Sequence, residues 1–250
     1  MTLLGIWLSW LGLLAPQAAT RLDELERLEV LPLQAELDHV QGIDVLGDSL
    51  WVSSVDRKAK RGFVHLFDRT SGRLLAHVSV ERGSRYHPGG LALDGDSIWV
   101  PVAEYARASS ALIQRRDKRT LALVSEFEVN DHVGCLAAGD TLVGGNWDSR
   151  LFYEWTREGR LLRQRPNPTP NAYQDLKRVG DALVGSGKLA AEQGAIDWLD
   201  PESLALRRRI VTGKTDRGVL FTNEGMALRD GKLYLLPEDG PSRLFVFRLP

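Results

Sequence analysis

One short pattern recurs five times along the chain, and it constrains the fold more than any other feature. A small residue opens an apolar stretch, a Gly-Asp type turn follows, and a second apolar stretch completes the unit. The first copy reads Gly42-Ile43-Asp44-Val45-Leu46-Gly47-Asp48-Ser49-Leu50-Trp51-Val52. The second reads Gly90-Leu91-Ala92-Leu93-Asp94-Gly95-Asp96-Ser97-Ile98-Trp99-Val100. Later copies begin at Gly134, Asp175 and Gly225, with turns at Gly139-Asp140, Gly180-Asp181 and Asp230-Gly231. They stand roughly 40 to 50 residues apart, the period of a four-stranded propeller blade. Independent hairpins would not hold that register.

Each Gly-Asp pair marks a tight hairpin, because such turns need residues that tolerate positive φ. A third strand follows at 63–67, 111–115, 151–155, 195–199 and 243–247, and a fourth after a polar turn, as at 74–80 and 121–129. The prediction is an all-β, five-bladed β-propeller of four-stranded antiparallel blades. The last copy stops at Pro250, just after its third strand, while 25–37 carries an alternating stretch with no blade of its own. Pairing that stretch with 243–247 closes the ring and removes two exposed sheet edges. A six-bladed ring is the alternative and requires an irregular blade between 167 and 221.

Residues 3–14 are apolar and Pro16-Gln17-Ala18-Ala19 follows, the pattern of a signal peptide core and its cleavage region. The run is too short to span a bilayer. Residues 1–19 are therefore read as a signal peptide and 20–250 as a single propeller domain, periplasmic or secreted. The net charge of -1 argues against nucleic acid or an anionic membrane as partner. The Arg207-Arg208-Arg209 run falls where a solvated outer strand is expected. Cys135 is the one cysteine, so no intramolecular disulfide forms, and its apolar surroundings predict a buried thiol.

Topology locates the working face. With strands lettered a to d from the channel outward, the d–a and b–c loops share one face and the short a–b and c–d turns the other. The longer connections, 55–62, 103–110, 165–172, 187–193 and 213–221, all belong to the first face, where elaborated loops usually carry function. Two sets of polar residues fall in register there. His39, His87 and Asp131 stand three positions before the small residue, with His132 next. Gln41, Gln174 and Glu224 directly precede it, Asn223 lies beside Glu224, and Asp175 replaces the small residue in the fourth copy. After strand b come Asp56, Glu104, Asp148 and Asp239, with Tyr105, Asn146, Trp147 and Arg150 nearby. Carboxylates after strands often cap their own turns, but several ionisable groups converging on one channel mouth point to function.

The expected site is thus His39, Gln41, His87, Glu104, Asn146, Asp148, Arg150, Gln174, Asp175 and Asn223 for ligand binding, with Glu224, His132 and Asp131 as candidate acid–base residues. A catalytic Glu224 would owe a shifted pKa to Asp175 as like-charged neighbour. The oxygen-rich set also suits a hard divalent cation such as calcium. No Gly-x-Ser-x-Gly elbow, phosphate loop, His-Glu-x-x-His or paired cysteines occur, which disfavours covalent serine or cysteine catalysis and structural zinc.

The runs His87-Pro88-Gly89-Gly90, Ile98 through Tyr105 and Gly144-Gly145-Asn146-Trp147-Asp148-Ser149-Arg150 resemble a group of secreted bacterial propellers of unknown function. More distantly, Val40-Gln41-Gly42-Ile43 and Asn223-Glu224-Gly225 are similar to strand a signatures of the five-bladed glutaminyl cyclotransferases. Those enzymes carry a Tyr-Glu pair after the first strand b, where this chain has Trp51-Val52-Ser53-Ser54. Likeness to lactonase-like propellers is at fold level alone. The leading expectation is an exported propeller that binds a small polar molecule or peptide at the channel mouth. The alternatives are a hydrolase, a cyclotransferase-like or lactonase-like enzyme at the same mouth, and a protein–protein scaffold.

Overall fold

The computed structural model of the protein describes residues 19–250. The signal-peptide expectation falls almost wholly on residues outside that range. Among the described residues no helix is long and apolar enough to cross a membrane.

Five sheets form five blades, each a meander in sequence order from the centre outward. Blade 1 is His39–Leu46, Ser49–Asp56, Arg61–Asp68 and Leu74–Ser79. Blade 2 has Ser97–Glu104, Ala111–Asp117 and Leu123–Val129 outside an inner strand split into Arg85–Pro88 and Ala92–Asp94. Blade 3 is Val133–Ala137, Leu142–Asn146, Leu151–Trp155 and Leu161–Pro166. Blade 4 is Ala172–Val179, Ala182–Ala190, Gln193–Leu199 and Leu206–Thr212. Blade 5 takes Glu224–Arg229, Lys232–Pro237 and Arg243–Arg248 from the C-terminal end of the chain. The stretch between 167 and 221 holds one regular blade, so the ring has five members and not six.

Arg27–Pro32 supplies the missing outer strand of blade 5, antiparallel to Arg243–Arg248 with Val30 opposite Phe245. The closure expected from the alternating 25–37 stretch is thereby observed. A second closure was not anticipated. Thr20–Arg21 adds a short parallel strand outside Leu206–Thr212, making blade 4 five-stranded. Two residues with one apolar neighbour carry no readable alternation. Leu22, directly after it, is buried between blades 4 and 5. One N-terminal segment therefore fastens two adjacent blades. Within the Arg207–Arg209 run, Arg209 turns inward to the buried Asp197 (Nε to Oδ1 2.6 Å), while Arg207 stays on the surface with Asp200 and Asp181.

The core is five apolar clusters, one in each gap between adjacent blades. Both faces of every sheet are covered, which is why the inner strands read as near-continuous apolar runs. Trp51 and Trp99 sit in two of these gaps, 3% and 1% exposed. Burial fixes Cys135 as a free, enclosed thiol and pushes it up to about 12.

The small residue of the repeat has a steric cause. A side chain at Gly42 would collide with the Gly90 backbone, and one at Gly90 would lie 2.7 Å from Asp175 Oδ1. The inner strands of five blades meet so closely that Gly90 of blade 2 hydrogen-bonds Gly134 and Leu136 of blade 3 directly. Asp175 occupies what remains of the axis.

Candidate functional site

Above that axial contact, the b–c and d–a loops enclose a cup of about 170 Å³. Each inner strand begins at its floor, so the repeat itself delivers polar residues there. His39 and Gln41 come from blade 1, His87 from blade 2, His132 from the approach to blade 3, Gln174 from blade 4 and Glu224 from blade 5. Asn146, Trp147, Asp148 and Tyr105 complete the wall from b–c loops. Of the residues expected at the mouth, His39, Gln41, His87, His132, Asn146, Asp148, Gln174 and Glu224 line this cup.

Three imidazoles run along one side of the cup. The His39 and His87 ring centres are 6.4 Å apart and those of His87 and His132 5.5 Å. Tyr105 meets His87 edge-on at 4.5 Å, and Trp147 lies 4.7 Å from His132. Arg57 and Arg107 lean on these aromatics from the rim, at 5.5 Å from the Tyr105 ring and 5.3 Å from Trp147. Arg107 also donates to Asp148 at 2.7 Å.

His132 has a defined tautomer. Its Nδ1 stands 3.0 Å from the Glu104 carbonyl and 3.2 Å from that of Ala106. Carbonyls only accept, so Nδ1 carries the proton and a neutral ring keeps a bare Nε2. Burial holds the ring below the usual imidazole range, against those two hydrogen bonds. A methyl on Gly134 would touch that nitrogen at 3.8 Å, so Nε2 borders the cup. Burial also lowers His87 well below its ordinary value, with His132 and His39 adding to the effect, and its Nδ1 is buried without a partner.

At the opposite end, Glu224 is 5% exposed and its carboxyl makes no hydrogen bond among the described residues. Burial raises it to about 8, with Glu238 next in effect, Arg57 opposing and Asp175 a smaller contributor. Glu238 follows the second strand of blade 5, held by its amide donating to the Asn223 carbonyl at 2.6 Å. Its Oε1 lies 2.5 Å from His39 Nδ1 and 3.4 Å from Arg57. Despite that approach, His39 Nδ1 makes no hydrogen bond.

Several expected residues do other work. Asp131 does not orient His132: it accepts the His132 backbone amide (2.7 Å), Asn146 Nδ2 (3.1 Å) and the Tyr153 hydroxyl (2.7 Å). Neighbouring side chains on extended backbone point to opposite sides, which separates the two. Asp175 lies below the cup, fully buried. It accepts the amides of Ile43 (3.1 Å), Met226 (3.0 Å) and Leu176 (2.9 Å) and pairs with Lys177 Nζ at 2.5 Å. Burial pushes its carboxyl up to about 6 against these donors. It ties three blades together, and the like-charged neighbour that matters to Glu224 is Glu238 instead.

The acidic set after strand b is largely structural. Asp56 caps its own turn through the Ala59 amide, Glu104 accepts from Ser110, and Asp239 is enclosed with Arg243. Arg150 is exposed beside the cup, and Asn223 contributes its carbonyl and not its side chain. Glu238 was missed because it stands one place before that register. A signal existed: the equivalent positions of blades 1 and 2 are Val55 and Ala103, both fully buried.

A family profile matches residues 20–186, over blades 1 to 3 and the start of blade 4. The chain belongs to this family, described as a family of unknown function (DUF6454). No curated protein matches it. Among solved structures it is similar to the WD40 domain of Pan2 from Neurospora crassa, at 7% identity and a TM-score of 0.51, covering 84% of this chain and 89% of that one. It also matches BamB from Moraxella catarrhalis, at 15% identity and a TM-score of 0.45, over 88% of this chain and 61% of that chain. This DUF6454 member therefore spans about three fifths of the BamB chain. The designed protein Ika4 is a further match, at 13% identity and a TM-score of 0.45, over 68% and 98% of the two chains. At these identities the Pan2 likeness speaks for the fold alone.

Proposed function

We propose that the cup binds a small polar molecule or peptide end and that the protein works outside the cytoplasm. The partnerless Glu224 carboxyl on the cup floor carries the reading. Its oxygens open to the cup and no protein donor occupies them, so a ligand's donor can meet them without displacing a protein partner. The bare Nε2 of His132 offers an acceptor, the amides of Gln41 and Gln174 offer both senses, and Arg57 and Arg107 at the rim suit a carboxylate. The apolar 3–14 run supports export.

A second reading, a hydrolase or cyclotransferase-like enzyme, is favoured by one observation: the paired carboxyls of Glu224 and Glu238 at one end of the cup. Glu224, one of the acid–base candidates from the sequence, would act as general acid, without the His132–Asp131 pair as the other. The test is a thermal-shift screen of sugars, lactones, amino acids and peptides, with turnover assays on each hit. Binding without consumption supports the binding reading. Turnover that disappears in Glu224→Gln while binding persists replaces it with the enzymatic one. No hit from any class counts against both.

A further inference from the structure

The geometry points to a divalent transition-metal site at the blade 5 to blade 1 end of the cup, with His39, Glu224 and Glu238 as the protein ligands of a Zn²⁺-class ion. This rests on the cup being a ligand site and names the ligand class for one end of it. One ligand atom from each of the three residues lies within 4.8 Å of the other two. His39 and Glu224 open the inner strands of adjacent blades, and Glu238 directly follows the strand paired with Glu224's, so rigid sheet edges hold all three.

The alternative to a cation is a packing cluster, and the hydrogen bonding disagrees with it. The buried carboxylates of Asp175 and Asp197 are each surrounded by N–H or O–H donors. Glu224 has none, and His39 Nδ1, on a residue 9% exposed, stands 2.5 Å from Glu238 without a hydrogen bond. The cation nearest Glu238 is Arg57, half exposed at the rim. Two carboxyls and an imidazole nitrogen converge with one long contact from the rim guanidinium of Arg57 as their donor, and such a set suits a metal.

Ligand chemistry selects the ion. Calcium takes six to eight oxygens, whereas imidazole with carboxylate suits zinc and its neighbours. Three protein ligands facing an open cup leave the fourth tetrahedral position for water or a bound molecule. Donor atoms about 2.1 Å from a tetrahedral ion stand about 3.4 Å apart. The His39 to Glu238 pair stands closer, at 2.5 Å, and all three atoms lie within 4.8 Å of one another, so small side-chain rotations reach that spacing.

The experiment uses the whole chain, stripped with chelator and titrated calorimetrically with Zn²⁺ and separately with Ca²⁺. One Zn²⁺ per chain and no Ca²⁺ heat are expected. His39→Asn and Glu238→Gln should each weaken Zn²⁺ at least tenfold, with His77→Gln, a surface imidazole, unchanged. Co²⁺ added to the unaltered protein should give a tetrahedral visible spectrum, a readout that needs no variant to fold. Absent Zn²⁺ heat, equal Ca²⁺ affinity, insensitivity to both substitutions, or an octahedral Co²⁺ spectrum would each overturn the site. Failure here is separable from failure of the cup. Organic ligands that still shift the metal-free protein, and are lost in Trp147→Ala, sustain the cup without the metal.

Discussion

On the face that carries the c–d turns, Asp68, Asp117 and Asp200 each accept two backbone amides from the residues that follow, at 2.7–3.0 Å. These bonds hold all three carboxyls below their ordinary range, Asp68 at about 2, with the Thr70 hydroxyl its largest contributor. On the cup face Glu224 meets no donor and is raised to about 8. The scaffold is the same and so is the chemical group; the difference is burial first and the supply of local N–H groups second, for the three aspartates are half-exposed and Glu224 is enclosed. A turn satisfies its own acid. Glu224 opens an inner strand at the channel mouth and has no such turn of its own.

The sharpest way to break this comparison is to remove a buried acid that is satisfied. Asp175→Ala should destabilise the propeller by about 3–5 kcal/mol in urea unfolding, because Lys177 is left charged and enclosed. Comparable stability in the variant would mean that the axial ion pair is not what ties the blades together.

Acid should separate the two faces next. His65, buried in blade 1 and bonded to Ser54, is lowered to about 4 by burial, with His77 adding to it. Above pH 6.5 the ring is neutral folded and unfolded. Below that the unfolded chain takes up a proton that the fold refuses, so stability is lost as pH falls from 6.5 toward 4. His87 and His132 act with the same sign. The turn aspartates contribute little in this window, since Asp68 stays ionised to about 2. His65 should account for up to about 3 kcal/mol, read as the part of the pH dependence of urea unfolding that His65→Gln removes. Glu224 and Asp175, raised by burial, act with the opposite sign over the same window, so a pH profile left unchanged by His65→Gln is what would contradict the neutral, buried imidazole.

Gly42→Ala tests the steric account of the axis. It should cost about 1–3 kcal/mol as an overpacked site, measured by thermal or urea unfolding, whereas alanine at Gly213, with open space around it, should be close to neutral. The smallest effect belongs to the cup. Glu224→Gln in metal-free buffer should change stability by less than about 1 kcal/mol, because no protein donor is lost. A loss as large as that of Asp175→Ala would make Glu224 a structural residue and dissolve the contrast between the faces.

Five blades, their hairpins and the closing strand Arg27–Pro32 were legible in the sequence because each depends on local periodicity and turn chemistry repeated in register. That register also placed His39, His87, His132, Gln174 and Glu224 around one mouth. Tertiary structure alone decided what those residues meet. Spacing assigned Asp131 to the cup, but the Tyr153 hydroxyl and Asn146 claim it. Asp175 was placed at the mouth, but amides from blades 1 and 5 draw it to the axis. Glu238 joined the site through a carbonyl of Asn223, fifteen residues away along the chain. Backbone periodicity is a short-range property, written wherever a strand is written. A side chain's partners across a five-fold closure depend on distances of a few ångströms between separate blades, and no local pattern carries them.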